Sequence, residues 1–252
     1  MKMNTEEKTG TKMRQHKNEN YYLDMKPKLM KDFGKMLTPT RKVLKQFDRS
    51  KIDYIVEESR REYEALIPQL PYIGGKEVSG TFNLTGSAQI LAIIRPLERE
   101  GMEVHETGKI AYEMFEIYFE SMPGIKKWFA RKFMFSKSGI KKMKRQTEKT
   151  QLREYPAGWV NEFVEGDGAN FDFGLDIVEC GICKFYKEQG AEEYIPYLCL
   201  GDYPQFRAFG IGMKRTQTVG NGAPKCDFRF KKGGKASRGW PPDNLEEFKQ
   251  NP

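Results

Sequence analysis

Residues 170–178 read N-F-D-F-G-L-D-I-V, which alternates apolar and polar side chains with a period of two. This alternation predicts a β-strand with one buried face. The preceding stretch 159–164, W-V-N-E-F-V, predicts a partner strand, and the turn 166–168, G-D-G, joins the two. Further along, 210–219 and 225–230 predict a second hairpin, so the residues beyond about 158 should form a small antiparallel sheet.

Before residue 154 the apolar residues recur with a period near 3.6, which predicts helices. A basic segment at 123–153 places Trp128, Phe129 and Phe133 at helical spacing. We interpret these aromatic side chains as the core stripe of a solvated helix; the alternative is contact with an acidic surface or a membrane. The predicted fold class is α+β, with a helical N-terminal half packed on the small sheet.

The predicted domain organisation follows from where apolar side chains are frequent. Residues 1–20 are polar and form a flexible tail. Residues 21–231 form a single α+β domain, whose helical part is 21–153 and whose cysteine-rich part is 154–231. The remaining segment 232–252 is rich in Gly, Pro and charge and is predicted to be a C-terminal tail, with Trp240 against the core.

Composition excludes several classes of protein. Hydrophobic residues make up 38% of the 252 residues, which is typical of a folded chain. The longest apolar run, 90–94, is too short to span a bilayer, and the first residues lack the apolar core of a secretory signal. We therefore expect a cytoplasmic protein without membrane insertion, whose four cysteines are reduced thiols.

The net charge of +8 is unevenly distributed. Segment 123–153 holds 11 Lys and Arg against one Glu, whereas 154–230, which contains all the cysteines, holds 7 basic against 12 acidic residues. Nucleic-acid-binding modules carry their basic charge themselves, so we expect no nucleic-acid partner. A homo-oligomer stays open.

The four cysteines lie within 47 positions, at Cys180, Cys183, Cys199 and Cys226. The C-x-x-C pair at 180–183 has the spacing used by zinc sites, and the other two thiols would complete a four-thiolate cage. However, no second C-x-x-C follows, and buried cysteines also act as small apolar side chains. We therefore expect no cofactor, with zinc on the cysteines as the alternative.

The same cysteines are candidate nucleophiles, because a thiol reacts as its thiolate. Cys226 has basic neighbours in the sequence, and Cys199 would lie near Arg215. The chain has two histidines, His16 in the tail and His105 in a polar turn, so acid–base catalysis falls to carboxylates or a cysteine. The candidate carboxylates are Glu179, Asp202 and Asp227.

Arg215 lies in the sequence R-T-Q-T at 215–218, which is predicted to be a strand. A guanidinium group presents a planar fork that matches a carboxylate, so Arg215 is a candidate for binding an acidic substrate. The alternative is a solvated strand arginine.

The cysteine region resembles a known family. E-C at 179–180, C-x-x-D at 199–202, R-T-x-T at 215–218 and C-D-F-R-F at 226–230 are similar to the L-2-amino-thiazoline-4-carboxylic acid hydrolases, with N-L-T-G at 83–86 compatible. The resemblance implies a hydrolase that acts on carbon–nitrogen bonds of a small cyclic amidine acid. Water would add to the ring carbon between sulfur and nitrogen and give N-carbamoyl-cysteine.

On this basis two sets of residues are candidates for the site. The expected catalytic residues are Cys226, Cys199, Asp202, Asp227 and Glu179. The expected residues binding a carboxylate-bearing substrate are Arg215, Thr216, Thr218, Cys180, Arg229 and Asn83. A fainter similarity to vinyl-reductase-type ligand-binding domains gives the alternative function, a non-catalytic domain that binds or senses a small ligand. A third interpretation is an adaptor that holds a partner through segment 123–153.

Overall fold

The computed structural model of the chain describes residues 20–78 and 80–249. Seven helices precede the sheet: α1 (Tyr21–Asp24), α2 (Lys26–Val43), α3 (Arg49–Leu66), α4 (Gly80–Arg99), α5 (Val104–Ser121), α6 (Gly124–Met134) and α7 (Lys137–Gln151). The remaining elements are β1 (Val160–Glu165), β2 (Phe173–Glu179), α8 (Gly181–Glu188), α9 (Ile195–Cys199), α10 (Asp202–Phe209), β3 (Ile211–Lys214), β4 (Cys226–Lys232) and α11 (Glu246–Lys249). The predicted α+β class is confirmed.

The four strands form one antiparallel sheet in the order β1-β2-β4-β3. The β2–β4 register sets Phe173 opposite Phe230 and Ile177 opposite Cys226. These residues alternate along each strand, so they share the face that packs into an apolar cluster with α10. The other face carries charged side chains, among them Asp176, and this difference between the two faces is what the period of two in the sequence encodes.

The helical half and the cysteine-rich half pack closely through small residues. Gly80 at the start of α4 and Gly181 at the start of α8 both lie against Trp159: a Cβ added at either glycine would come within 2.6–2.7 Å of the indole ring. The Tyr186 hydroxyl of α8 also donates a hydrogen bond of 2.9 Å to the Ser87 carbonyl oxygen of α4. Helix α8, which begins beside Cys180, is therefore held in place by α4.

Three local predictions are wrong. Gly74, Gly75 and Gly80 indicate a loop over 72–85, but residues 80–85 form the first turns of α4, where the side chain of Thr81 donates to the Gly75 carbonyl oxygen at 2.6 Å. The segment 215–218 is not a strand: β3 ends at Lys214, because Asp227 accepts the next backbone N–H groups and bends the chain.

The third correction concerns the C-terminal one of the two predicted tails. The tail predicted at 1–20 lies outside the described residues except for Asn20. The tail predicted at 232–252 packs on the core as far as it is described, since Ala236, Leu245 and Glu247 are buried. Glu247 is buried because it forms an ion pair with Arg215, a contact that the local composition does not show.

Residues 20–78 and 80–249 contain no helix with the length and apolarity that a membrane crossing requires.

Candidate functional site

Four thiols lie near one another at the ends of α8, α9 and β4. Cys180 precedes α8, Cys199 ends α9 and Cys226 begins β4. The fourth thiol, Cys183, is one turn into α8. The groups are close enough that ionisation of one thiol opposes ionisation of the others. All four are free thiols; Cys226 is buried and the other three are partly exposed.

Arg215 lies under this cluster and is fully enclosed, with 1% of its side chain exposed. Its Nε and Nη2 donate to the two carboxylate oxygens of Glu247 at 2.6 and 2.7 Å. Its Nη1 donates to Asp202 Oδ2 at 2.6 Å, and Nη2 also donates to the Cys199 carbonyl oxygen at 3.0 Å. The guanidinium thus makes four hydrogen bonds within the chain, out of five N–H groups.

These contacts differ from the expectation that Arg215 binds a substrate carboxylate. The fork that would hold that carboxylate is occupied by Glu247 from the C-terminal segment. Arg215 instead holds Asp202 and the end of α9 in position. Phe228 and Tyr203 lie against the guanidinium, with ring centroids 4.8 and 5.4 Å from Cζ.

Cys180 has the environment that favours a thiolate. It occupies the N-cap position of α8, where backbone N–H groups are unpaired. The pKa of Cys180 is lowered, chiefly by the neighbouring Cys183 thiol, while desolvation acts in the opposite direction and the nearby backbone N–H groups of Cys183 and Ile182 assist the lowering. This is the combination of helix N-terminus and donors that activates cysteines in general.

The other three thiols have the opposite tendency. The hydrogen bond to Cys180 and burial raise the pKa of Cys183. Burial raises the pKa of Cys199, although the positive charge of Arg215 opposes this. Burial raises the pKa of Cys226 to about 12, and its sulfur accepts the Val219 N–H at 3.3 Å. Near neutral pH these three are thiols.

Among the expected site residues, Asp202 is the candidate general acid. It is the first residue of α10, one of its oxygens is bound by Arg215, and its side chain is about one-third exposed. Burial raises the pKa of Asp202, while the charge and the hydrogen bond of Arg215 act in the opposite direction. When ionised, Asp202 raises the pKa of Cys180, so the two groups are close enough to influence each other.

Asp227 and the two threonines shape the loop that follows β3. Asp227 accepts hydrogen bonds from the backbone N–H groups of Thr216 and Gln217 at 2.8 and 3.0 Å and from the Thr216 hydroxyl at 2.6 Å. Thr218 is buried and accepts the Asn221 N–H at 3.1 Å. With its oxygens occupied in this way, Asp227 fixes the loop that carries Arg215 and Val219.

Glu179 and Arg229 are engaged in ion pairs. Glu179 at the end of β2 accepts a hydrogen bond from Lys184 at 2.5 Å and forms an ion pair with Arg153. Arg229 binds Asp176 at 2.7 Å on the charged face of the sheet.

Asn83 completes the expected substrate-binding set. It is exposed in the first turn of α4, on the same helix start that packs against Trp159. No hydrogen bond within the described residues fixes its side chain.

Glu247 is the part of the site that the sequence did not identify. It lies 32 positions beyond Arg215 in a segment rich in charge, and nothing in that segment distinguishes it from the exposed Glu246 beside it. Cys183 was named with the other cysteines but was not chosen as a site residue. Its position three residues after the N-cap is the signal that relates it to Cys180, because residues three apart lie on one side of a helix.

Among the residues that the structure describes, no three His, Cys, Asp or Glu side chains come together as a metal site would require. A groove of about 510 Å³ lies between α2 and α3, lined by residues that include Arg41, Asp53 and Arg60. None of its lining residues is a candidate site residue. At the thiol cluster, Cys180, Cys183, Cys199 and Asp202 are partly exposed.

A model of the L-2-amino-thiazoline-4-carboxylic acid hydrolase family matches residues 89–230. The chain belongs to this family. The matched region contains all four thiols, Asp202, Arg215 and Asp227, whereas Glu247 lies beyond it. Searches of curated proteins and of solved structures found no significant match.

Proposed function

We propose that this family member is a hydrolase that opens a small cyclic amidine acid of the L-2-amino-thiazoline-4-carboxylate type, with Cys180 as the nucleophile and Asp202 as the acid and base. The observation that carries the proposal is the position of Cys180 directly before α8, one helical turn from Cys183 and with a partly exposed side chain. The lowered pKa of Cys180 agrees with this position. The family match supports the substrate class. Cys226 and Cys199, expected at first to attack, are weaker candidates because burial keeps them protonated.

The chemistry has two halves. In the first, the Cys180 thiolate attacks the amidine carbon, the ring carbon–sulfur bond breaks, and the departing sulfur takes the proton of Asp202. The substrate is then joined to Cys180 as an isothiourea. The expected cleavage of a carbon–nitrogen bond does not give this product: N-carbamoyl-cysteine keeps both nitrogens on that carbon, so the ring bond that breaks is carbon–sulfur.

In the second half, water adds to the isothiourea carbon. One proton of the water goes to nitrogen and the other to the Asp202 carboxylate, while the bond from carbon to Cys180 breaks. The thiolate and the protonated Asp202 are thereby restored and N-carbamoyl-cysteine leaves. Asp202 suits both steps, since burial raises its pKa and Arg215 fixes one of its oxygens.

The experiment is incubation of the full chain with L-2-amino-thiazoline-4-carboxylate and mass-spectrometric detection of N-carbamoyl-cysteine. We expect Cys180→Ala to abolish turnover and Asp202→Asn to slow it by about 100-fold, the lower range for loss of a general acid or base. Cys226→Ser should retain far more activity than Cys180→Ala. In rapidly quenched wild-type reactions, peptide mapping should find the adduct on Cys180.

Two results would decide against the proposal. Turnover in Cys180→Ala comparable to that of the wild type would exclude Cys180 as the nucleophile. Calorimetric binding of the compound without any turnover would favour the alternative, a non-catalytic ligand-binding domain.

A further inference from the structure

Helix α6 (Gly124–Met134) is the one helix of 11 residues or more, among those described, that contains no buried residue. The aromatic side chains on it were expected to be a core stripe, and this is wrong. Ile125, Trp128, Phe129 and Phe133 are 61%, 41%, 60% and 51% exposed. Their spacing of three, four and eight residues places them on one side of the helix, so α6 presents an apolar stripe to the solvent.

The opposite side of α6 is the side that meets the protein. Lys127, Ala130 and Met134 are partly buried there, and Lys127 Nζ donates to the Glu120 carbonyl oxygen at 3.1 Å. Met134 packs against the apolar cluster of the sheet. Helix α6 is therefore attached to the protein by the side opposite the exposed stripe.

Basic side chains surround the stripe. Lys126 and Arg131 lie along its two edges by helical spacing, and Lys132 lies within it, with Nζ 5.5 Å from the Trp128 ring centroid. Residues 121–147 contain no Asp or Glu, and α7 adds further positive charge, with Lys142 Nζ 5.9 Å from the Phe133 ring centroid. The surface thus combines exposed aromatic area with a positive field.

We propose that α6 docks on an anionic lipid surface, lying in the plane of the membrane interface. Its apolar stripe would enter the boundary between headgroups and acyl chains, while the flanking Lys and Arg side chains bind the negatively charged headgroups. With 11 residues α6 is about 16 Å long, so it lies on a bilayer and cannot cross one. Trp and Phe with basic neighbours are the side chains that such interfacial helices use.

Two other occupants fit the surface less well. A second copy of the chain would set Lys126, Arg131 and Lys132 of one α6 against the same residues of the other, and residues 121–147 contain no Asp or Glu to compensate. An acidic soluble protein would satisfy the charge but does not require four exposed apolar side chains on one stripe. The lipid surface satisfies both features at once.

The test is sedimentation of the full chain with vesicles of phosphatidylcholine alone and with vesicles that contain about 30% phosphatidylserine. We expect binding to the anionic vesicles that weakens when salt is raised from roughly 0.1 to 0.5 M, because the Debye length shortens. Phe129→Ser with Phe133→Ser should weaken binding at least tenfold. Phe82→Ser, at a similarly exposed phenylalanine on α4, is the matched control and should bind like the wild type.

Charge and insertion are tested separately. Lys126→Gln with Lys132→Gln should weaken binding. Lys45→Gln, at an exposed lysine outside α6 and α7, should not. Trp128 emission should shift to shorter wavelength when anionic vesicles are added, and the shift should be absent in Trp128→Phe. Wild-type protein that ignores anionic vesicles, or a Phe129 and Phe133 double variant that binds normally, would overturn the proposal. A dimer that the double variant abolishes, without vesicle binding, would replace the lipid by a second copy.

Discussion

Glu247 places both of its carboxylate oxygens on Arg215, with hydrogen bonds of 2.6 Å from Nε and 2.7 Å from Nη2. The carboxylate comes from α11, beyond the region that the family model matches, and it is completely enclosed. A residue near the end of the chain therefore completes the support of Asp202, the acid of the proposed reaction.

The Glu247–Arg215 pair predicts a large loss of stability when one partner is neutralised. Glu247→Gln leaves part of the Arg215 charge without its partner in a buried site. We expect the free energy of unfolding to fall by about 3 kcal/mol, the lower end of the range for such pairs, because Asp202 remains bound to Arg215. Urea denaturation measures it. Glu246→Gln, at the exposed neighbour, should change stability by less than about 0.5 kcal/mol; equal effects of the two variants would show that the pair is not buried in solution.

Thiol reactivity should follow the direction of each pKa. Iodoacetamide at neutral pH is expected to alkylate Cys180 first, because its pKa is lowered and its side chain is partly exposed. Cys226 should react last, because it is the one buried thiol of the four and burial also raises its pKa. Peptide mapping after short exposures gives the order. Cys183→Ala removes the thiol donor and should slow alkylation of Cys180, about tenfold for each unit by which the pKa rises. Faster labelling of Cys199 or Cys226 than of Cys180 would contradict the assignment of the nucleophile.

Asp227 is expected to act on structure more than on chemistry. Asp227→Ala leaves the Thr216 and Gln217 N–H groups without acceptors, which should cost about 1–3 kcal/mol of unfolding free energy. Thr216→Val removes only the hydroxyl donor and should cost less. In the double variant the two effects should not add, because the residues share a hydrogen bond. Additive losses would mean that the loop is held in another way.

Asp176 should contribute to the acid sensitivity of the fold. Burial opposes its ionisation, but the hydrogen bonds from Lys225 and Arg229 outweigh burial and lower its pKa below the ordinary value of 3.8. The folded protein then binds the proton less readily than the unfolded chain, so this stabilisation is present above about pH 4 and is lost as pH falls through the lowered pKa. Unfolding free energies between about pH 5 and 2 should fall less steeply for Asp176→Asn than for the wild type. Asp24→Asn, at an exposed site, should follow the wild-type curve; parallel curves for all three proteins would contradict the prediction.

The sequence predicted the fold class because two different periods of apolar residues divide the chain near residue 158. Alternation in 170–178 predicted β2, which spans Phe173–Glu179. It misplaced 215–218, where four residues alternate like a strand but the Asp227 side chain binds the backbone more strongly than a neighbouring strand would. A side chain that competes for backbone N–H groups from 11 positions away leaves no periodic signal.

The site was predicted in part for the same reason. The thiols, Asp202 and Arg215 stood out by composition and spacing, but the partner of Arg215 did not. Glu247 is one glutamate among several in a charged segment, and its burial depends on the folded positions of α9, α10 and β3. The stripe of α6 was expected to be buried but is exposed. Helical spacing shows that Trp128 and Phe129 share a face of the helix, yet it does not show whether that face is covered.

The indole ring of Trp159 packs against the first residues of two helices that are far apart in the chain. Gly80 and Gly181 approach the same edge of the indole ring, so the first turns of α4 and α8 rest on it from two directions. Cys180, one residue before Gly181, is thereby coupled to a helix that carries none of the thiols. The boundary near residue 154 separates the helical part from the cysteine-rich part, but both parts pack on the same Trp159 ring. A larger side chain at Gly80, although distant from the thiols in the sequence, would press on the same ring that the residue after Cys180 contacts.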